Sequence, residues 1–205
     1  MKLAKSRCCC KSFSNSSRGF SLIELLVALV VALVLAAIAI PSIVTTYSQY
    51  RLGVQATSIA DQLDLLRMNA VRSNTTLTLF RSTTGCGTAG TVIYIDVNKD
   101  NACDSKDPQM MLPLDMQISN DGDATPTGMP STATMVTPYT TTLSLPSGGI
   151  SFTSNGTISG AAGPYVIVIG YTNTTKYGFR AITVTPMGQI KVWTASSGGS
   201  WSASS

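Results

Sequence analysis

The hydrophobic pattern of the chain changes twice, from a continuous apolar run to a helical stripe and then to strand-like alternation. Residues 25–40 are sixteen consecutive apolar residues within a longer apolar segment, 20–44. At 1.5 Å per residue, about 25 helical residues reach roughly 37 Å, enough to cross a bilayer with some tilt. The segment therefore predicts a membrane-spanning helix over 20–44.

Beyond the apolar run, hydrophobic residues continue at helical spacing. They recur at intervals of 7, 4, 3 and 4 and form one stripe: Leu52, Ile59, Leu63, Leu66 and Ala70. Charged residues occupy the opposite side: Arg51, Asp61, Asp64, Arg67 and Arg72. We expect one helix from residue 20 to about 73, whose second half, 45–74, packs on its own domain. Pro41 lies inside this helix and is expected to kink or loosen it by removing one backbone hydrogen bond.

From residue 75 the period shortens from 3.6 to 2, which is typical of β-strands. The segments with this pattern are 75–80, 91–96, 110–118, 150–153, 165–171, 179–185 and 189–194. Long loops rich in Ser, Thr, Gly and Pro are expected between 119 and 164. The fold class is therefore α+β, a long N-terminal helix on an antiparallel β domain over 75–194. Residues 195–205 predict a flexible tail in which only Trp201 docks.

Charge changes the picture by setting the topology. The 205 residues include 14 Lys and Arg and 10 Asp and Glu, for a net charge of +4. Five of the basic residues and no acid precede residue 20, so the positive-inside rule places that end in the cytoplasm and the β domain across the membrane. The remaining nine bases balance nine acids beyond residue 44. The net charge thus reports topology and is poor support for a nucleic-acid partner.

The composition also excludes most hydrolytic chemistry. The chain has no histidine, so it has no Ser/His/Asp or Cys/His catalytic set and no histidine-ligated zinc. Motifs such as GxSxG, HExxH, GxxxxGK[ST] and CxxC are absent from the sequence. The sequence therefore predicts a protein that is not an enzyme.

Three interpretations compete for the apolar segment. A secretory signal would be cleaved after a small-x-small site such as Ala37-Ile38-Ala39, and a plain anchor would stay intact. Both leave Glu24 unexplained, although inserting a carboxylate near the start of a membrane helix costs about 3 kcal/mol. An intramembrane acid is by default a functional residue, so Glu24 favours a third interpretation.

The third interpretation rests on residues 18–26, Arg-Gly-Phe-Ser-Leu-Ile-Glu-Leu-Leu. This stretch resembles the class III signal of type IV pilins and type II secretion pseudopilins. The resemblance implies that a prepilin peptidase removes leader 1–19 by cleaving between Gly19 and Phe20 and methylates the new N-terminus. It implies that Glu24 pairs with the free amine of a neighbouring subunit in the inner membrane, and that the helix melts near Pro41 on assembly. Cys8, Cys9 and Cys10 would be discarded with the leader.

Two strand pairs sharpen the resemblance. Residues 152–158 and 181–192 are similar to the glycine-turn hairpins of FimT/GspH-type minor pilins, and Gly156 and Gly188 stand where a tight turn needs positive φ. The resemblance implies assembly with other pilins or pseudopilins. It leaves the machine open between a type IV pilus, where the protein would belong to the tip or priming complex, and a type II secretion system. The long Ser/Thr-rich stretch and the absence of an obvious basic site slightly favour the pilus.

Cys86 and Cys103 are the remaining cysteines, both in the predicted periplasmic domain. An oxidising compartment and an even count favour a disulfide between them. The same loop carries an EF-hand-like spacing of oxygen ligands: Asp96, Asn98, Asp100, Asp104 and Asp107. Asn101 replaces the usual glycine of that motif, and the same residues also suit a capped structural turn. No cofactor is expected if the turn interpretation holds, and calcium is the alternative.

DNA binding is the last alternative. Members of the family with that role carry a C-terminal Gly-Arg-x-Arg pattern, and the aligned residues 188–191 lack both arginines. From residue 150 onward there are three bases and no acid: Lys176, Arg180 and Lys191. Three charges would support weak, salt-sensitive binding only.

Overall fold

The computed structural model describes residues 19–82, 86, 91–100, 102–104, 106–119, 128–135, 143–144, 149–161 and 163–204. These residues form one α-helix, α1 (Leu22–Ser73), one short 3₁₀ helix (Thr132–Met135) and ten strands. The strands are β1 (Leu77–Ser82), β2 (Val92–Asp96), β3 (Gln109–Met111), β4 (Met116–Ser119), β5 (Leu143–Ser144), β6 (Ile150–Phe152), β7 (Tyr165–Tyr171), β8 (Phe179–Val184), β9 (Ile190–Ala195) and β10 (Ser202–Ala203). The predicted α+β class is confirmed.

The chain divides into two compact units between Ile43 and Val44, and α1 contributes residues to both. In the second unit, the five residues of the predicted stripe are all fully buried. Ser48, Ala56 and Ala60 extend the same buried face. The helix ends where Asn74 adopts a φ of 50°, a left-handed conformation that asparagine tolerates better than most residues.

Two antiparallel sheets pack with this helical face around one hydrophobic core. The first sheet has the order β3-β2-β1-β6, and the second has the order β10-β9-β8-β7-β4. β5 adds a short parallel pairing to the start of β7. The largest fully buried side chains of the core include Leu63, Phe152 and Ile167, from the helix, the first sheet and the second sheet respectively.

The second sheet is covered on both faces. Alternate residues of β8, such as Ile182 and Val184, face the core shared with α1. The odd-numbered residues Phe179 and Ala181 face the other way and belong to a second cluster with Met135 from the 3₁₀ helix and Trp201. The Trp201 indole N–H donates to the carbonyl of Pro130 at 3.3 Å. This sheet therefore has apolar residues on both sides, which a single alternating pattern does not predict.

Two sequence predictions differ from this structure. Residues 110–118 were expected to form one strand, but the chain forms β3 in the first sheet and β4 in the second, with Pro113 between them. Proline has no N–H for a strand ladder, which explains the break. Trp201 in the tail after residue 194 is buried, as expected, but the rest of that tail was expected to be flexible and instead Ser202 and Ala203 pair with β9.

Candidate functional site

The predicted processing junction lies just before α1. Gly19 and Phe20 are exposed, and the Phe20 side chain is 81% accessible. At the start of the helix, the Leu25 N–H donates a hydrogen bond to the Ser21 carbonyl at 3.1 Å. Glu24 lies in this first turn, where its negative charge complements the positive end of the helix dipole.

Glu24 is the only charged residue between residues 22 and 50. The side chains around it are apolar and uncovered, from Leu22 at 83% exposure to Ile38 at 71%. The helix is long and apolar enough to cross a membrane. It continues through Pro41, so the expected local melting at that residue stays a prediction about the assembled form.

Cys86 and Cys103 form the predicted disulfide, with their Cα atoms 5.2 Å apart. The bridge closes a segment that contains β2, the strand between the two cysteines. A loop with this sequence separation of 17 corresponds to about 3 kcal/mol of stabilisation in the loop-entropy model.

The acidic loop, residues 96–107, follows β2 directly. Its candidate calcium ligands are Asp96, Asn98, Asp100, Asp104 and Asp107. Asp96 and Asp107 are buried, each only 4% exposed. The Asp96 carboxylate accepts the Lys99 N–H at 2.6 Å and holds Lys99 at a φ of 61°.

The other carboxylates of the acidic loop also accept backbone N–H groups. Asp107 accepts from Val97 at 3.2 Å, and Asp104 accepts from Lys106 at 2.7 Å. Asp100 accepts from Ala102 at 2.8 Å. Among the described residues, no three Cys, Asp or Glu side chains are arranged to hold a metal ion. The geometry is that of Asx turns, and calcium binding stays a sequence-based prediction.

The three bases of the DNA hypothesis do not share one face. Arg180 pairs with Thr194 across β8 and β9, whereas Lys191 pairs with Thr183. Because residues 180 and 183 differ by an odd number, their side chains lie on opposite faces of the sheet. Lys191 sits over the Trp193 ring at 4.9 Å on the face away from α1. Arg180 is on the face toward α1, where its guanidinium donates to the Gln49 carbonyl at 3.4 Å.

Arg67 has a role that the sequence did not reveal. Its Nε donates to the Gly156 carbonyl at 3.0 Å, although the pattern assigned this arginine to the polar side of the helix. Gly156 and Gly188, with φ values of 74° and 76°, form the two predicted hairpin turns and lie against each other. Arg67 therefore ties both turns to α1.

Arg180 is the second residue whose surroundings the sequence did not reveal. Its neighbours on the same face of β8 and β7, Ile182 and Ile169, are core residues. Burial lowers the pKa of the Arg180 guanidinium. A signal was present, because Arg180 occupies an apolar position in the alternation of β8.

Comparison with known families gives one match to the N-terminal part of the chain and another to the rest. Residues 14–40 match the prokaryotic N-terminal methylation motif, and residues 55–188 match the family described as type II transport protein GspH. The second match spans more than half of the chain. The chain belongs to the GspH family.

A solved structure with a similarity to this GspH-family chain is the minor pseudopilin EpsH from the type 2 secretion system of Vibrio cholerae. The identity is 13%, the TM-score is 0.42, and the alignment covers 69% of this chain and 95% of that chain. No curated protein sequence matches the chain significantly.

The two matched regions divide the candidate site residues of this GspH-family protein. The methylation motif contains Gly19, Phe20 and Glu24, so it includes the predicted processing junction and the carboxylate of the apolar helix. The GspH region contains the disulfide and both glycine turns. The resemblance to minor pilins and pseudopilins drawn from the sequence is thus confirmed at the level of the family.

Proposed function

We propose that this GspH-family protein is a non-enzymatic minor pseudopilin of a type II secretion system. A prepilin peptidase would cleave it between Gly19 and Phe20 and methylate the new N-terminus. Its apolar helix would anchor it in the inner membrane in a single pass, with the β domain in the periplasm. From there it would enter a pseudopilus with other pseudopilins.

The observation that supports this proposal most directly is the isolation of Glu24. It is the one charge in a stretch of exposed apolar side chains that would otherwise suit lipid on every side. A carboxylate in that environment is tolerated when it is paired with an opposite charge. The methylated amine of Phe20 on a neighbouring subunit would supply such a charge, so Glu24 would set the register between helices.

The sequence alone leaned slightly toward the type IV pilus, and the GspH match now favours the secretion machine. Deletion and complementation in the host separate the two. We expect secretion by the type II system to fail in a deletion strain and to return with the wild-type gene. It should return equally with Asp64→Ala, a change of an exposed acid on the same helix, and fail to return with Glu24→Ala.

Mass spectrometry of the membrane-extracted protein provides an independent readout. We expect a mature chain that starts at methylated Phe20, in wild type and in Glu24→Ala alike. Loss of surface pili with normal secretion would move the protein to a type IV pilus. Normal pili and normal secretion in the deletion strain would refute an assembly role.

A further inference from the structure

A groove lies between the second half of α1 and the second sheet, with a volume of about 620 Å³. We call it the Arg180 groove. One wall is the α1 surface around Gly53, and the other carries Arg180 and Thr194. Residues that carry a hydroxyl group are frequent in the lining, among them Thr57, Ser58 and Thr194, and none of the described lining residues is acidic.

The groove is built around the guanidinium. Gly53 stands opposite Arg180 in the middle of α1, and a Cβ at that position would lie 4.0 Å from the Arg180 Nε. A glycine inside a helix costs roughly 1 kcal/mol relative to alanine, and the missing side chain leaves the α1 wall of the groove open. Any larger side chain at residue 53 would extend into the groove.

The charge of Arg180 is half-buried and has no described carboxylate beside it. Nη1 donates to the Phe179 carbonyl at 3.0 Å and Nη2 donates to the Gln49 carbonyl at 3.4 Å. A guanidinium has five N–H donors in a planar fork, so these two contacts orient it and leave further donors for the groove. By contrast, the more exposed Arg51 has its own ion pair with Asp115 at 3.0 Å.

We propose that the Arg180 groove receives the carboxylate of an Asp or Glu side chain from a neighbouring pilin-like subunit. This inference rests on the proposed function, because it assumes that the protein assembles. A partly buried cation gains most from a bidentate carboxylate, and the hydroxyl-lined walls would accommodate the polar backbone that carries it. DNA fits less well, since phosphate tracks need several cations and Lys191 lies on the opposite face of the sheet.

Site-specific photo-crosslinking in the host tests the proposal. The full-length protein carries benzoylphenylalanine in place of Tyr50, an exposed aromatic residue that lines the groove, and is co-expressed with each other pilin-like subunit of the same system. We expect a crosslink to one subunit, reduced about tenfold or more by Arg180→Gln. Replacing the responsible acid of that subunit by its amide should cause the same loss, and exchanging the two charges with Arg180→Glu should restore the crosslink.

Two further variants keep the test interpretable. Gly53→Leu leaves the arginine in place and favours the helix, but its side chain would fill the groove, so we expect the same loss with a folded protein. Lys176→Gln removes an exposed cation outside the groove and should leave the crosslink unchanged. A crosslink that persists in Arg180→Gln and Gly53→Leu would overturn the proposal.

Two controls separate this inference from the proposed function. A second photo-probe at Val31, in the apolar half of α1, should crosslink to other subunits whether or not Arg180 is present. If that probe also fails, the assembly role fails; if it succeeds while the Tyr50 crosslink does not depend on Arg180, only the groove proposal fails. A labelled DNA duplex that binds the full-length protein through Arg180 would also overturn the carboxylate assignment.

Discussion

Replacing Gly188 by alanine tests whether the contact between the two hairpin turns stabilises the β domain. Gly188 is buried at a φ of 76°, and a Cβ there would collide with the Gly156 carbonyl oxygen. That oxygen is the acceptor for the Arg67 Nε at 3.0 Å. The added methyl group would therefore push apart the turns and break the bond that ties them to α1.

The structure separates the backbone cost of this substitution from its contact cost. An L-residue at a left-handed φ costs about 1–2 kcal/mol, and alanine regains about 0.4–1 kcal/mol by restricting the unfolded chain. Losing a hydrogen bond from a charged donor adds about 1.5–3 kcal/mol. We therefore expect Gly188→Ala to lower the free energy of unfolding by about 3 kcal/mol.

Gly198 provides a matched control. It has a φ of 68°, but a Cβ there would meet no atom within 4 Å. Gly198→Ala should cost about 1 kcal/mol or less, since only the backbone contribution applies. Denaturant unfolding of the mature chain in detergent measures both, followed by fluorescence of the two tryptophans, Trp193 and Trp201, which both pack in the second hydrophobic cluster. Equal costs for the two variants would refute the role assigned to the contact.

Four other predictions follow from the described residues. Trp201→Ala should destabilise the β domain by about 3 kcal/mol, because it empties a buried site in the second cluster; a flexible tail would give no change in denaturant unfolding. Cys86→Ala with Cys103→Ala should cost about 3 kcal/mol in the same assay, and two free thiols in the denatured, unreduced mature chain would contradict the disulfide. Burial, followed by the nearby carboxylates, raises the pKa of Tyr94 above 10.0, so the folded state holds the phenol proton more tightly than the unfolded state does. The free energy of unfolding should therefore fall as the pH rises above the Tyr94 pKa of the unfolded chain, and it should fall less in Tyr94→Phe. Identical pH profiles for the two proteins would contradict this reasoning. Because the acidic loop already satisfies its carboxylates with backbone N–H groups, chelator should leave the thermal unfolding midpoint unchanged, and a midpoint raised by calcium would establish the metal site instead.

The helix and most strands were predictable because their burial is periodic. The stripe from Leu52 to Ala70 faces one core, so hydrophobicity repeats at helical spacing and each predicted residue is fully buried. The turn glycines were predictable for a local reason, since Gly156 and Gly188 need positive φ whatever surrounds them. Each of these signals depends only on residues that are close together in the sequence.

The features that the sequence did not reveal depend on contacts between distant segments. The docking of Trp201 was expected, but its partner was not, because the 3₁₀ helix at residues 132–135 reaches the same sheet face and has no hydrophobic pattern of its own. The break between β3 and β4 puts two halves of one apolar stretch into different sheets. Pro113 marked that break, but the alternation on either side of it masked the signal.

The basic residues of the C-terminal region show why charge counted along a sequence is a poor guide to a binding surface. Arg180 and Lys191 lie on neighbouring strands and would reinforce each other if their side chains shared a face. The register of β8 and β9 puts them on opposite faces, one toward α1 and one beside Trp193. A phosphate backbone would meet only one of the two at a time, so their contributions to DNA affinity would not add on a single strand. The same register gives Arg180 a different use, because a single oriented guanidinium in a hydroxyl-lined groove suits one carboxylate better than a row of phosphates.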